Sequence, residues 1–209
     1  MRATGILFLI AAFVILLSSD FARAQPSGEE SSLSLDLAFQ QYFLPSDSDL
    51  SVPVASLYWS NILIEARYNY ESRDAASIWL GRPFAFGETW EFELTPMVGG
   101  IFGEIEGVAP GLKADISWRR LNLYSEAEYV FDSAGRDNNF FYSWSELTVG
   151  LLDWLRVGIV GNRTRLYDSS VELDRGPIIA IEVGPATISC TALNLDDDAI
   201  IILGASLAF

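Results

Sequence analysis

The sequence predicts an all-β fold, a closed antiparallel transmembrane β-barrel, and two observations carry that prediction. First, apolar and polar residues alternate with a period of two along most of the chain after residue 30. In 121–131, strand spacing separates Glu126 and Glu128 from the apolar residues, whereas helical spacing would mix them. Second, no run of about 18 apolar residues follows residue 24, so this part of the sequence holds no candidate transmembrane helix.

Twelve segments show this alternation, and most are close to the ~9–11 residues that a tilted membrane strand needs. They are 31–43, 52–60, 62–71, 75–82, 88–99, 109–118, 121–131, 139–150, 155–166, 177–184, 187–195 and 199–209. Misplaced boundaries would reduce the count to ten. Short connectors alternate with mostly longer acidic ones, as periplasmic turns alternate with external loops in membrane barrels. An even number of strands then places both termini in the periplasm.

Aromatic residues support the same map. One group falls at the strand ends near the predicted periplasmic side: Trp59, Trp90, Trp118, Trp154 and Phe209. A second group falls near the opposite ends: Tyr42, Phe43, Tyr68, Tyr70, Tyr129, Phe131, Phe140, Phe141 and Tyr167. Two aromatic belts are typical of membrane barrels, because the rings tolerate both hydrocarbon and headgroups. A soluble β-sandwich is the alternative, but it gives no reason for aromatic residues to collect at strand ends.

The first 24 residues have the layout of a cleavable signal peptide. Arg2 precedes the apolar stretch 5–17, and Ala22-Arg23-Ala24 provides the small-x-small pattern of a cleavage site. We expect cleavage after Ala24, a short periplasmic segment at 25–30 and a barrel over 31–209. An uncleaved anchor is the alternative, although the apolar stretch is short for a span of about 20 residues.

The C-terminal stretch carries a resemblance to a known class of proteins. Ile201, Leu203, Ala205, Leu207 and Phe209 alternate and end in a terminal phenylalanine, which resembles the assembly signal of Gram-negative outer-membrane β-barrel proteins. The resemblance is at the level of the superfamily and covers nearly the whole chain. It implies a location in the cell outer membrane, with membrane lipid and the barrel-assembly machinery as partners. It brings no activity with it.

The composition argues against several other functions. The sequence contains no histidine and one cysteine, and it lacks a Gly-x-Ser-x-Gly motif, so the usual general bases and nucleophile motifs of hydrolases are missing. Carboxylate pairs such as Glu91/Glu93 are expected by chance on the polar face of any strand. A net charge of −15 disfavours nucleic acid as a partner. Three consecutive acids at 196–198 lack the spacing of a calcium loop. We expect no cofactor and no metal.

The polar face of each strand predicts a charged lumen with nine acids and three bases. The predicted inward residues are Asp36, Glu65, Arg67, Glu91, Glu93, Lys113, Asp115, Glu126, Glu128, Glu146, Arg156 and Glu182. A two-residue turn at 119–120 would place Lys113 directly opposite Glu126, with Asp115 and Glu128 as diagonal neighbours. Glu65 and Arg67 share one face of a strand. Glu146 and Arg156 approach each other across the turn at 151–154.

Two arginines allow two interpretations. Arg163 and Arg165 continue the apolar phase of their strand, which points them outward near the external rim, where they would bind glycolipid phosphates. A β-bulge near Gly161 would instead turn both inward, toward the acidic lumen.

Two functions fit these features. One is a narrow passive channel that prefers cations, because the lumen is acidic. The other is a non-transporting barrel, structural or lipid-interacting, with a plugged lumen. Twelve strands lie between the filled eight-stranded barrels and the open porins with 16–18 strands, so the strand count suits both.

Overall fold

The computed structural model describes residues 33–45, 47–166, 172–196 and 198–209. Its strands are β1 Leu33–Phe43, β2 Leu50–Trp59, β3 Ile62–Tyr68, β4 Ala75–Gly81, β5 Phe84–Phe86, β6 Glu91–Gly103, β7 Gly107–Trp118, β8 Leu121–Asp132, β9 Phe140–Leu152, β10 Leu155–Leu166, β11 Glu172–Val183, β12 Ala186–Leu193 and β13 Ile200–Ala208. A short 3-10 helix, Arg136–Asn138, lies between β8 and β9. In the described part of the chain, no helix has the length and apolar character needed to cross a membrane.

The strands form one closed antiparallel barrel with twelve strand positions. β4 and β5 pair with two successive stretches of β6, so they make up a single position that is interrupted at 82–83. Pro83 has no backbone N–H to donate at this interruption. The predicted closed barrel of twelve strands is confirmed.

The first and last strands close the barrel. β1 pairs with β13 from Asp36 opposite Ala208 to Phe43 opposite Ile201. Beyond this ladder, Leu35 and the terminal Phe209 exchange backbone hydrogen bonds of 3.2 and 2.9 Å. Closure matters because an unpaired strand edge cannot be hydrated inside a bilayer.

The two ends of the barrel differ, and we name them by their connectors. At the turn end the connectors are short: 60–61, 87–90, 119–120, 153–154 and 184–185. The described start of β1 and end of β13 lie at the same end. The loop end carries the connectors 69–74, 104–106 and 133–139 and the described residues of 44–49 and 194–199, together with the end of β10 and the start of β11. Several strand boundaries differ from prediction, and two of the differences change the map. The strand thought to end at Arg82 resumes as β5, and β11 begins at Glu172 instead of 177 because Glu172 still pairs with Thr164.

The outer surface is apolar, and its aromatic residues lie near the two ends. Trp59, Trp90 and Trp154 are exposed at the turn end, and Phe43 and Phe131 are exposed at the loop end. The predicted loop-end belt is wrong in part. Three of its members, Tyr42, Tyr70 and Phe140, pack inside the barrel, because belt membership was predicted from position along the strands without regard to which face each residue occupies.

Two clusters of apolar side chains pack inside the barrel. One consists of Ala75, Trp79, Met97, Ile101, Ala109 and Val130. The other consists of Trp144, Val160, Ile178, Leu193 and Ile202. All occupy strand positions whose side chains point into the barrel. Charged side chains lie beside these clusters, as Arg67 does beside Trp79.

Candidate functional site

The candidate site is centred on Arg67 in β3, whose alternation points Leu63, Glu65 and Arg67 into the barrel. Arg67 is only 3% exposed. Its Nε donates to Glu65 Oε1 at 2.7 Å, so the two residues that share a face also share an ion pair. A guanidinium so deeply buried needs carboxylate partners in several directions.

Those partners lie across the lumen on β8. Arg67 Nη1 donates to Glu128 Oε1 at 2.5 Å, and Nη2 donates to Glu126 Oε1 at 2.5 Å. Three strand positions separate β3 from β8 around the barrel. Arg67 therefore connects two distant parts of the wall, and the planar guanidinium can serve both carboxylates because its N–H groups point in fixed, separate directions.

Lys113 joins the same group from β7. The β7–β8 register places it directly opposite Glu126, as the two-residue turn predicts. Its Nζ, however, lies 2.6 Å from Glu65 Oε2 and 3.8 Å from Glu126 Oε2, so Glu65 is the nearer partner. Ser56 Oγ also donates to Glu65 Oε2. The lysine side chain is 16% exposed and is the most accessible part of the group.

Glu71 was not predicted to lie in this site, since its position in the sequence indicates an acidic loop. The connector 69–74 folds inward, and Glu71 Oε1 lies 3.5 Å from Arg67 Nη1. Ser77 Oγ and Trp79 Nε1 donate to the same oxygen at 2.6 and 3.0 Å. The Glu71 side chain is 0% exposed. A connector residue thus supplies a fourth carboxylate to Arg67.

Aromatic side chains surround the arginine. The guanidinium carbon lies 4.3 Å from the ring centre of Tyr70 and 4.7 Å from that of Trp79. Tyr70 packs edge-on against Tyr142, and Tyr124 donates to Glu126 Oε2 at 2.7 Å. These rings exclude water and add cation–π attraction, which strengthens every charge interaction nearby.

We call these six charged residues the Arg67 cluster: Arg67, Lys113, Glu65, Glu71, Glu126 and Glu128. It contains four acids and two bases. Two buried oxygens, Glu71 Oε2 and Glu128 Oε2, have no hydrogen-bond partner. Among the described residues, no group of three or more acids, cysteines or histidines is arranged to hold a metal ion. The cluster therefore contains two more acids than bases in a nearly dry environment.

Other predicted residues lie nearer the turn end, in what we call the acidic vestibule: Asp36, Glu91, Glu93, Asp115 and Glu182. Glu91 and Glu93 are exposed and lie opposite Ser117 and Asp115. Asp115 accepts hydrogen bonds from Asn122 at 2.7 Å and from Ser117 at 3.3 Å. The sequence assigned these acids and the Arg67 cluster to one network, but they form two groups at different depths.

The predicted approach of Glu146 to Arg156 is wrong. Glu146 lies opposite Val160 and accepts a hydrogen bond from Trp144 Nε1 at 2.7 Å. Arg156 lies opposite Gly150, donates to Thr148 Oγ1 at 2.9 Å and lies 3.8 Å from Glu182. The β9–β10 register therefore separates Glu146 from Arg156 by four residues along the strand, or about 13 Å at the usual strand rise.

Arg163 points outward and is exposed, opposite Ser143. The β9–β10 register is continuous past Gly161, and its irregularity lies at Leu155/Arg156, so the predicted bulge near Gly161 is wrong. The backbone of Arg165 pairs with Phe141, while its side chain lies outside the described residues.

At the C terminus, Leu207 pairs with Leu37 on one side and Ala186 on the other. The terminal Phe209 is exposed on the same outer face.

No protein-family model and no curated protein matches the sequence. Solved structures do match. The KdgM porin superposes with a TM-score of 0.64 at 10% identity, covering 83% of this chain and 99% of that chain. The NanC porin gives 0.56 at 12% identity, with 83% and 98% covered. The Acinetobacter baumannii outer-membrane protein Omp33 gives 0.51 at 11%, with 88% and 100% covered.

The chain has the fold of Gram-negative outer-membrane porins. KdgM and NanC are porins, and the interior of this porin-like barrel holds the charged residues described above. At identities near 10%, the likeness establishes the fold alone. What the barrel does has to be argued from the Arg67 cluster and the acidic vestibule.

Proposed function

We propose that the protein is a narrow passive channel of the outer membrane for small solutes, with the Arg67 cluster as its constriction and a preference for cations. The signal peptide, cleaved after Ala24, directs export. The loop end then faces the outside, and the turn end and both termini face the periplasm, as in barrels with short periplasmic turns. The porin-like fold supports this assignment.

The buried charge across the lumen is the observation that carries the proposal. A buried ion-pair network is rarely more stable than apolar side chains of similar volume. This chain packs apolar side chains in two clusters elsewhere in its lumen, so it could have filled this position in the same way. Instead it places six charged residues there. Rings of charged side chains at a constriction are how channels select among ions.

The acidic vestibule supports the preference for cations. It contains five acids, one of which, Glu182, lies 3.8 Å from Arg156. A surplus of negative charge in a confined aqueous space raises the local concentration of cations and repels anions. One KdgM structure is a complex with disordered oligogalacturonate, an acidic oligosaccharide. The lumen of this chain would repel such a polyanion, so we propose cationic or neutral solutes instead.

A second candidate is the non-transporting barrel, and burial in the lumen favours it. Inward side chains on several strands are almost fully buried; Leu63, Thr95, Val160 and Leu193 are each at most 3% exposed. In this conformation the interior is packed at these positions. Conduction would therefore require the Arg67 cluster to rearrange.

Conductance of the refolded chain 25–209 in planar bilayers tests the proposal. We expect small conductance steps and a reversal potential shifted in the cation direction in asymmetric potassium chloride. Lys113→Ala should increase the cation preference, because it removes a base from the constriction. Arg73→Ala, which removes a base from a loop-end connector, is the matched control and should change little. An anion-selective channel contradicts the proposal, and absence of conductance favours the non-transporting barrel.

A further inference from the structure

The outward face of the strands carries charge in one place. Among the described strand side chains that point away from the lumen, only those of Arg163 on β10 and Arg175 on β11 are charged, and both are exposed. Arg82, at the interruption between β4 and β5, is near the opposite end of the barrel and lies over the Phe84 ring. The lipid-facing wall near the loop end therefore has a small patch that is purely basic.

The β10–β11 register brings the two arginines together. Arg175 lies directly opposite Gly161, and Arg163 follows Gly161 by two residues on the same face. Diagonal neighbours of this kind lie about 7–8 Å apart, so the long arginine side chains can reach a common group. Arg175 was not predicted to belong to any site, because the predicted strand began only at residue 177.

Gly161 leaves room between the two arginines. A Cβ atom added at Gly161 would meet nothing within 4 Å. The backbone pairing of β10 with β11 is continuous from Gly161 through Arg163, so both arginines keep their outward direction. A group of the size of a phosphate can therefore approach the strand with a guanidinium on either side.

The two arginines have no acidic partner among the described residues. Asp174, next to Arg175 in the chain, points to the other face, where Asn194 Nδ2 donates to its Oδ1 at 2.6 Å. An unpaired charge on the lipid-facing wall of a barrel is unfavourable in hydrocarbon and is tolerated at the level of the headgroups. The patch therefore needs an anion from the membrane.

The position of the pair along the strands fits the headgroup level. Arg163 lies three residues before the end of β10 at Leu166, and Arg175 lies three residues after the start of β11 at Glu172. At the usual strand rise, both are about 10 Å from the loop end of their strands. Toward the turn end, the same outward face continues with the exposed apolar side chains of Ile159 and Ile179.

We propose that Arg163 and Arg175 bind a phosphate group of the glycolipid in the outer leaflet of the outer membrane. Each guanidinium donates to phosphate oxygens, for which its planar fork is well suited, and the acyl chains of the lipid pack on Ile159 and Ile179. The site rests on the orientation in the proposed function, which places the loop end outside. It does not require conduction, so a failure of the channel proposal would leave it standing.

Native mass spectrometry of the refolded chain 25–209 in detergent tests the site, with diphosphorylated lipid A as the probe. The chain should retain one lipid A molecule, and fully dephosphorylated lipid A should bind about tenfold more weakly or worse, because the charged hydrogen bonds are lost. Phosphatidylglycerol, an anionic phospholipid, should compete poorly. Absence of lipid A binding would overturn the proposal, as would equal binding of the dephosphorylated lipid or of phosphatidylglycerol.

A pair of double variants locates the site. Arg163→Gln/Arg175→Gln should weaken lipid A binding by about tenfold or more. Arg73→Gln/Arg120→Gln removes the same charge from two exposed connector residues and should leave binding unchanged. If the first variant binds as tightly as the unmodified chain, or if the control loses as much, the arginine pair is not the site.

Unfolding in vesicles gives a second readout. Lipid A added to phosphatidylcholine vesicles should raise the urea midpoint of the unmodified chain, because a ligand that binds only the folded state stabilises it. It should not raise the midpoint of Arg163→Gln/Arg175→Gln. That variant should still fold, since both side chains are exposed on the outer face and the lumen is untouched. Equal increases for the two proteins would contradict the proposal.

Discussion

Removing the charge of Arg67 should destabilise the barrel strongly. In Arg67→Met, the four carboxylates of the Arg67 cluster would keep Lys113 as the only base of that cluster. Arg67 is 3% exposed and makes two 2.5 Å contacts to Glu126 and Glu128, so water cannot replace it without unpacking the cluster. Breaking a buried ion pair by removing one partner costs about 3–5 kcal/mol. We expect a loss of that size in the free energy of unfolding.

Urea unfolding of the refolded chain 25–209 in lipid vesicles, followed by tryptophan fluorescence, measures this loss. Arg73→Met is the matched control. Arg73 lies 3.4 Å from Asp47 on the loop-end surface, and their side chains are 38% and 69% exposed. Exposed pairs contribute about 0–1 kcal/mol, so the control should lose little.

A compensating variant separates the effect of unpaired charge from the effect of lost packing. Adding Glu126→Gln and Glu128→Gln to Arg67→Met removes the two carboxylates that the arginine held, so most of the lost stability should return. If Arg67→Met alone costs less than about 1 kcal/mol, the cluster is hydrated rather than buried, and the reasoning above fails. If the triple variant recovers nothing, the loss reflects packing instead of unpaired charge.

Three further predictions follow from the packing and the export signal. Gly99→Ala should lower unfolding stability by about 1–3 kcal/mol, because its new methyl group would overlap the Trp79 ring, whereas Gly161→Ala should be tolerated because a Cβ there meets nothing within 4 Å. Deleting Phe209 should reduce heat-modifiable, folded barrel far more than substituting a single acid in a loop-end connector. Mass spectrometry of outer-membrane fractions should find a mature chain that starts at Gln25; recovery of the uncleaved chain in the inner membrane contradicts this.

Local patterns were enough to predict the barrel because alternation with a period of two fixes which face each residue occupies. The same rule, combined with a two-residue turn, gave the pairing of Lys113 with Glu126. Local patterns failed at Phe84–Phe86. Pro83 indicates the end of a strand, yet pairing with β6 resumes beyond it. Pairing with a distant segment decided that boundary, and no pattern near Pro83 shows it.

The full membership of the Arg67 cluster could not be predicted from the sequence either, because its contacts join segments that are far apart in the chain. Glu65 and Arg67 are neighbours on one strand, so their shared face was predictable. Glu126 and Glu128 reach Arg67 from the other side of the lumen, and that contact depends on barrel diameter and strand tilt. Glu71 arrives from a connector, where no periodic pattern indicates direction.

Under the proposed channel function, the distribution of charge would make a packed lumen compatible with conduction. A solute entering at the loop end meets acids first, then the Arg67 cluster, then the acidic vestibule. Moving Arg67 aside would leave Glu65, Glu71, Glu126 and Glu128 without their main partner. An arriving cation can take the place of the guanidinium and offset that cost, whereas an anion would increase the repulsion. A constriction held closed by its own cation therefore opens most readily for another cation.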